Sequence, residues 1–180
     1  MKPATLFFPL LMTFAGVHSA SADDIDSGQV ELDMTGTIVA ESCDIDTASQ
    51  NQTIHIGDFS AGIFKNVGDT SEWKQFDIKL NNCTSAISQS TVAFSGTSDG
   101  TDPSLLALSD TSGGGGMASG VAIELLDSSM NTIAINSTDN GYPITQGNND
   151  LTFRLRYKAT AVPVTPGNAS SVLYFDVSYQ

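Results

Sequence analysis

Short runs in which apolar and polar residues alternate recur along this chain, separated by Gly, Asn, Asp, Ser and Pro. Alternation with a period of two residues is the pattern of a strand with one buried face. No long stretch shows helical periodicity. Short strands between turn residues predict an all-β sandwich or barrel. The predicted strands span residues 30–42, 53–56, 74–80, 91–95, 121–126, 132–135, 151–160 and 171–179.

The first 22 residues have the pattern of a secretory signal peptide, which predicts that the protein is exported. Lys2 gives a positive start, residues 4–17 are apolar, and residues 20–22 (Ala-Ser-Ala) supply a small-residue cleavage site. A signal anchor is the less favoured alternative, because the apolar run is short for a membrane span and contains Pro9. We expect segment 1–22 to be removed from the mature protein.

The chain is strongly acidic, with 20 Asp and Glu against seven Lys and Arg and a formal net charge of −13. This balance argues against binding nucleic acid or an anionic membrane through a general field. Arg154, Arg156 and Lys158 alternate along one predicted strand, and we interpret them as the solvated face of an exposed strand.

The two cysteines, Cys43 and Cys83, both lie in the exported part of the chain. Two thiols in an oxidising compartment predict one disulfide. Closing a loop of about 40 residues stabilises a fold by roughly 3–4 kcal/mol in the chain-entropy model. A zinc site is not expected, because it needs about four ligands and His55 is the one histidine after the signal peptide.

Residues 96–100 match the G-x-S-x-G pattern of a hydrolase nucleophile elbow, with Ser98 as the nucleophile. That motif needs a helix after the turn and a histidine later in the chain, whereas Pro103 follows and His55 precedes the serine. We therefore interpret it as a polar turn and expect neither catalytic residues nor a cofactor. The lone Trp73 is interpreted as a buried core residue.

Each end of the mature chain is unusually strand-like. Residues 23–39 alternate through a segment that contains Gly36, and glycine weakens a strand unless another group must approach closely. Alternation alone fits equally well an ordinary first strand of the chain's own domain. At the other end, residues 171–180 alternate up to the last residue with no turn or partner strand after them.

Several segments, taken together, resemble the pilins of the chaperone–usher pathway of the type 1 kind. The resemblance extends over essentially the whole mature chain, and the final segment is closest to the minor subunits that link a tip adhesin to the fibre. The segments that carry it are LDMTGTIVAESC (32–43), SEWKQFDIKLNNC (71–83), VAFSG (92–96), GVAIELLD (120–127) and the end ATAVPVTPGNASSVLYFDVSYQ (159–180) with its penultimate Tyr179.

This resemblance implies an incomplete immunoglobulin-like sandwich that lacks its seventh strand and is completed by a donor strand from another subunit. It implies an N-terminal donor-strand extension at 23–37 and a pilin domain at 38–180. The implied donor residues are Val30, Leu32, Met34 and Gly36. The implied acceptor groove, which also binds the chaperone, is bordered by Leu173, Phe175, Val177 and Tyr179, with the terminal carboxylate of Gln180 held by the chaperone.

The partners implied by the resemblance are a periplasmic pilus chaperone, an outer-membrane usher and neighbouring fimbrial subunits. The protein would pass through the periplasm and act in an extracellular fimbrium during bacterial adhesion, without a cofactor. The alternatives are a major rod subunit and a single-domain carbohydrate-binding adhesin. A secreted hydrolase built on Ser98 is the enzymatic alternative.

Overall fold

Two antiparallel sheets make up the fold of the computed structural model, which describes residues 34–36, 42–138 and 141–180. The chain divides into the units Met1–Ile38 and Val39–Gln180, and the second contains every element below. The strands are β1 (Asp44–Ile45), β2 (Lys74–Cys83), β3 (Gln89–Ser95), β4 (Val121–Leu126), β5 (Gly141–Pro143), β6 (Gly147–Ala159) and β7 (Tyr174–Tyr179). A short α-helix α1 spans Thr47–Gln50, and a 3₁₀ turn spans Ala61–Ile63.

The strand order identifies the sandwich as immunoglobulin-like and incomplete. One sheet has the order β1-β2-β6-β4 and the other β5-β3-β7. An immunoglobulin sandwich packs strands A-B-E-D against C-F-G. With β5 set aside as a short extra strand, β1, β2, β3, β4, β6 and β7 correspond to A to F in chain order. Strand G would lie on the outer edge of β7, and none of the described segments lies there.

The core lies between the sheets and is centred on β6. Alternate residues of this strand are buried, because strand side chains point to opposite faces in turn. Phe153 has no exposed surface and contacts three other rings, with centroids 4.9 Å away at Phe94, 5.4 Å at Tyr142 and 5.5 Å at Phe76. These contacts join β6 to β2 of its own sheet and to β3 and β5 of the facing sheet.

Five of the predicted strands are confirmed as β2, β3, β4, β6 and β7, and the predicted disulfide joins Cys43 to Cys83. The predicted strands at 53–56 and 132–135 are wrong. Segment 53–56 has no ladder partner, and the second segment makes only a single bridge from Thr132 to Leu126. The sequence patterns missed the two short strands β1 and β5.

The prediction that Trp73 is a core residue is also wrong, since 44% of its surface is exposed. Its ring packs instead against the guanidinium of Arg154, whose Cζ lies 4.7 Å from the ring centroid. A cation above an indole face is an attractive arrangement that does not require burial. In the described part of the chain, no helix has the length and hydropathy to cross a bilayer.

Candidate functional site: an open sheet edge beside an apolar groove

The outer edge of β7 has unpaired backbone groups. Gln89 and Gln180 exchange both of their backbone hydrogen bonds, at 3.1 and 2.8 Å. Pairs of this kind alternate along an antiparallel ladder with pairs that point their N–H and C=O groups away from each other. The register of β3 and β7 therefore directs the N–H and C=O groups of Phe175, Val177 and Tyr179 towards the free edge.

The side chains of these same three residues, with Leu173 before them, pack against the core while remaining partly exposed. The alternate positions of β7 face solvent, and Tyr174 among them is 65% exposed. The corresponding alternate residues of β6 are buried. The face of β7 that points inward is thus only half covered by the chain's own residues.

We take the segment that follows Cys43 as the facing wall, because Tyr179 of β7 reaches the backbone of Cys43. Ile45, Ile54, Ile56 and Phe59 are partly buried and pack against the core. None of them makes a ladder with β7, since β1 pairs with β2 and segment 53–59 has no strand partner among the described residues.

The two walls approach each other at one end through Tyr179. Its hydroxyl donates a hydrogen bond of 3.2 Å to the backbone carbonyl of Cys43. Burial raises the pKa of this phenol, although the hydrogen bond to Cys43 opposes the shift. The hydroxyl therefore stays protonated at neutral pH and keeps its role as a donor.

Phe59 of the facing wall also lines a cavity of about 530 Å³, together with Tyr157, Val164 and Ala169. The Tyr157 hydroxyl donates a 2.6 Å hydrogen bond to the carbonyl of Ala169, which fixes the chain that leads into β7. We call the space between the walls the apolar groove, bordered by Ile45, Ile54, Ile56 and Phe59 on one side and by Leu173, Phe175, Val177 and Tyr179 on the other.

The structure thus brings together the four predicted acceptor residues, while Gln180 pairs with Gln89 at the end of β7. Of the predicted donor residues, Val30 and Leu32 lie outside the described residues, as do the signal peptide and most of segment 23–37. Met34 is described and is 83% exposed. A Cβ placed on Gly36 would meet no described atom within 4 Å, so no described contact within the chain requires glycine there.

Among the described residues, the motif around Ser98 does not form a catalytic triad. Its hydroxyl accepts a hydrogen bond of 3.0 Å from the Asn136 amide. The His55 imidazole lies instead 3.6 Å from the carboxylate of Asp58, and both side chains are largely exposed. Ser98 follows β3 and makes a single antiparallel bridge to Leu106, at the start of a polar loop.

A buried carboxylate on the opposite sheet was missed by the sequence reasoning. Glu124 of β4 is 1% exposed and accepts hydrogen bonds from Arg156 (2.6 Å), Lys158 (2.8 Å) and Thr132 (2.9 Å). Burial opposes ionisation, but these three donors together hold the pKa of Glu124 below its ordinary value. The interpretation of Arg156 and Lys158 as a solvated face is therefore wrong.

Comparisons with known proteins agree with this topology. The family model described as "Fimbrial protein" matches residues 32–180. The chain is 38% identical to the "Uncharacterized fimbrial-like protein YcbU" of Escherichia coli K12, and the match covers 100% of both chains.

Two solved structures share the fold. The P pilus rod subunit PapA has a TM-score of 0.64 and 26% identity, over 77% of this chain and 99% of that one. A subunit of a chaperone–usher pilus, from a structure concerned with rod uncoiling, also has a TM-score of 0.64 and 26% identity, over 88% of this chain and 100% of that one. The chain therefore belongs to the fimbrial protein family, and its incomplete immunoglobulin-like sandwich is the fold of chaperone–usher pilus subunits.

Proposed function

We propose that this fimbrial subunit polymerises by donor-strand exchange and serves as a minor adaptor between a tip adhesin and the fibre. The observation that carries the proposal is the outer edge of β7. There Phe175, Val177 and Tyr179 present unpaired backbone groups beside partly exposed apolar side chains. An extended segment from another subunit would satisfy both at once, in the way pilins are known to accept a donor strand.

The groove supplies two sources of binding free energy to such a strand. Each hydrogen bond formed at the free edge contributes a net stabilisation of about 0.5–1.5 kcal/mol. Apolar area removed from water adds roughly 25 cal/mol per Å². The side chains of Ile54 and Ile56 on one wall and Leu173 and Phe175 on the other are partly exposed and have area left to bury.

The same subunit would donate its own segment 23–37 to the next one. Val30, Leu32 and Met34 alternate as a strand must if it is to fill successive pockets. The exposed side chain of Met34 supports this role, because a long apolar side chain in solvent has burial to gain in a partner. In this reading, Gly36 lies where the partner leaves no room for a side chain.

The bare edge also accounts for the proposed export route. An unpaired strand edge with apolar neighbours is a template for aggregation. We propose that cleavage of segment 1–22 is followed by capture of the subunit by a periplasmic chaperone, which lends a strand to the groove and holds the carboxylate of Gln180. At an outer-membrane usher, the extension of the next subunit would then replace that strand, and the assembled fimbrium would lie outside the cell.

A rod subunit is the second candidate, since PapA, the P pilus rod subunit, shares this fold. The two roles differ in copy number, because an adaptor is scarce in purified fibres and a rod subunit dominates them. Quantitative mass spectrometry of the fibres separates them.

Thermal unfolding tests the proposed mechanism. The mature chain 23–180 is compared with a donor-linked chain, in which a flexible linker and a donor segment follow Gln180. The donor is either residues 23–37 or the extension of another subunit. We expect the linked donor to stabilise the folded chain by roughly 5 kcal/mol. Each kcal/mol raises Tm by about 2–4 °C in a chain of this size, so Tm should rise by at least about 10 °C.

The matched control carries Leu32→Asp in the appended donor only, which places a charge where the apolar groove needs an apolar side chain. It should lose most of the gain in Tm. If neither donor raises Tm above that of the control, the sandwich is complete without a partner strand and the proposal is wrong.

A further inference from the structure

The sheet that contains the open edge has no positive charge. Strands β3, β5 and β7 contain no Lys or Arg, and their single acidic residue is Asp176. Asp176 is exposed in the middle of β7, opposite Ala93 of β3. It takes part in none of the ion pairs in the described part of the chain. Its carboxylate is therefore not neutralised by the domain itself.

A strand added to the edge would come close to this carboxylate. The immunoglobulin position beside β7 is that of an antiparallel strand. Since Phe175 and Val177 direct their backbone groups to the free edge, both would form hydrogen-bonded pairs with the added strand. Asp176 lies between them and falls in a non-hydrogen-bonded pair, in which the Cα atoms are about 4.5 Å apart and side chains are closest.

The chain's own extension would place negative charge beside Asp176. In an antiparallel pair, Leu32 can lie opposite Phe175, Val177 or Tyr179, the three inward-facing residues of β7. The residue opposite Asp176 is then Glu31, Asp33 or Thr35, respectively. In the third register Asp33 is the diagonal neighbour, which is still within reach. Every such register brings a carboxylate next to Asp176.

We propose that Asp176 is a specificity-determining residue of the apolar groove. It selects the extension of a different subunit, one with a neutral or basic side chain on its outer face, and disfavours a second copy of this chain. This inference rests on the proposed function. Like charges directly opposite each other destabilise a strand pair and opposite charges stabilise it, each by roughly 1.4- to fivefold in an equilibrium constant.

In a pair of identical subunits, no basic residue of the extension or of the three-stranded sheet would offset the repulsion between Asp176 and the acidic extension. Segment 23–37 contains five acidic residues and no basic one. The basic residues of the mature chain all lie outside β3, β5 and β7. They are Lys65, Lys74, Lys79, Arg154, Arg156 and Lys158.

The test is a charge-reversal cycle in the donor-linked chain. One donor is residues 23–37, and the other is the same segment with Glu31→Lys and Asp33→Lys. Each is linked to the parent domain and to the Asp176→Lys domain. In the parent we expect the lysine donor to lower the unfolding constant by roughly two- to 25-fold relative to the acidic donor, because one repulsion is removed and one attraction is added. In Asp176→Lys the acidic donor should become the better one.

Glu72→Lys is the matched control, because Glu72 is an exposed carboxylate before β2, outside the three-stranded sheet. It changes the net charge equally and should leave the order of the two donors as in the parent. Raising the salt from about 20 mM to 1 M should shrink the difference between donors, as screening requires.

The outcomes separate the two proposals. If no linked donor stabilises any domain, donor-strand exchange itself is wrong. If both donors stabilise the domain but Asp176→Lys leaves their order unchanged, donor-strand exchange stands and the role of Asp176 is wrong. A reversal that Glu72→Lys reproduces equally would also overturn the inference, since net charge alone would then explain it.

Discussion

The two edge strands β4 and β7 differ in whether the rest of the chain covers their outer backbone edge. β4 ends the four-stranded sheet, and its outer edge is covered by the chain itself. Leu106 and Ile123 exchange two hydrogen bonds of 2.9 Å, and Ile133 donates one of 2.8 Å to Leu125. All six residues of β4 are buried. β7 ends the other sheet, and nothing in the described chain covers its outer edge.

An edge strand can be covered by its own chain, as β4 is, or left bare, as β7 is among the described residues. Covering β4 buries even the charged Glu124, which is tolerated because Arg156, Lys158 and Thr132 all donate to it. Leaving β7 bare keeps Phe175 and Val177 partly exposed. Natural proteins avoid long apolar edges of this kind unless something covers them, so the bare edge of β7 supports the proposed donor-strand site.

Truncating one apolar side chain on each edge strand should give the largest difference in stability between the two edges. Leu125 is 1% exposed, so Leu125→Ala should lower the free energy of unfolding by about 2–5 kcal/mol. Val177 is only partly buried, so Val177→Ala should lower it by about 1 kcal/mol. Urea denaturation of the mature chain measures both.

The same two variants should also be measured in the donor-linked chain. The cost of Val177→Ala should rise there, because the donor completes the burial of that side chain, while the cost of Leu125→Ala should stay the same. An equal cost of Val177→Ala in the two forms would mean that no donor packs against it.

The charged cluster that closes β4 should give the next largest effect. Glu124→Gln removes the charge that Arg156 and Lys158 share, and hydrogen bonds to charged groups contribute about 1.5–3 kcal/mol. The two cations are 23% and 27% exposed and can regain some water, so we expect a loss near the lower bound. Thermal unfolding at neutral pH measures it. Asp150→Asn, an exposed acid on β6, is the control and should change stability by less than about 0.5 kcal/mol.

Lowering the pH should reduce the difference in the free energy of unfolding between the parent and Glu124→Gln. The folded-state pKa of Glu124 lies below its ordinary value of 4.5, with burial opposed by hydrogen bonds from Lys158 and Arg156. Such a group stabilises the fold above its unfolded pKa, and this contribution is lost as the pH falls through the folded pKa. Denaturation curves from pH 7 down to pH 3 should therefore converge below about pH 4.5. Curves that stay parallel would show that Glu124 keeps an ordinary pKa.

The sequence predicted the face of β7 more reliably than it predicted which segments pair. Alternation in residues 171–179 correctly placed Phe175, Val177 and Tyr179 on one inward face. The same signal at 53–56 correctly turned Ile54 and Ile56 inward, yet that segment forms no ladder. Alternation reports where side chains point, whereas pairing depends on which backbone lies alongside.

Contacts between residues far apart in the chain could not be predicted from the sequence. The ion pairs of Glu124 join residues more than 30 positions apart in the chain, and no spacing rule identifies them. Trp73 was predicted to be buried because aromatic residues usually are, but its place above Arg154 depends on the register of β2 and β6. The short strands β1 and β5 have too few residues to show a period.

Amide hydrogen exchange gives the finest test of the comparison, because it separates neighbouring residues on one strand without changing stability. The N–H groups of Asp176 and Ser178 point towards β3 and should exchange slowly, as should that of Ile123, which donates to Leu106 on the covered edge of β4. The N–H groups of Phe175 and Val177 point to the free edge and should exchange faster than those of Asp176 and Ser178, by roughly tenfold or more.

In the donor-linked chain this alternation along β7 should disappear, because both sets of amides are then hydrogen-bonded, while the rate at Ile123 changes only with global stability. Residue-resolved exchange measured by NMR distinguishes the cases. Equal protection along β7 before any donor is added would mean that the edge is already covered, and β7 would then resemble β4. An alternation that persists after linkage would mean that the donor binds by its side chains alone and forms no ladder with β7.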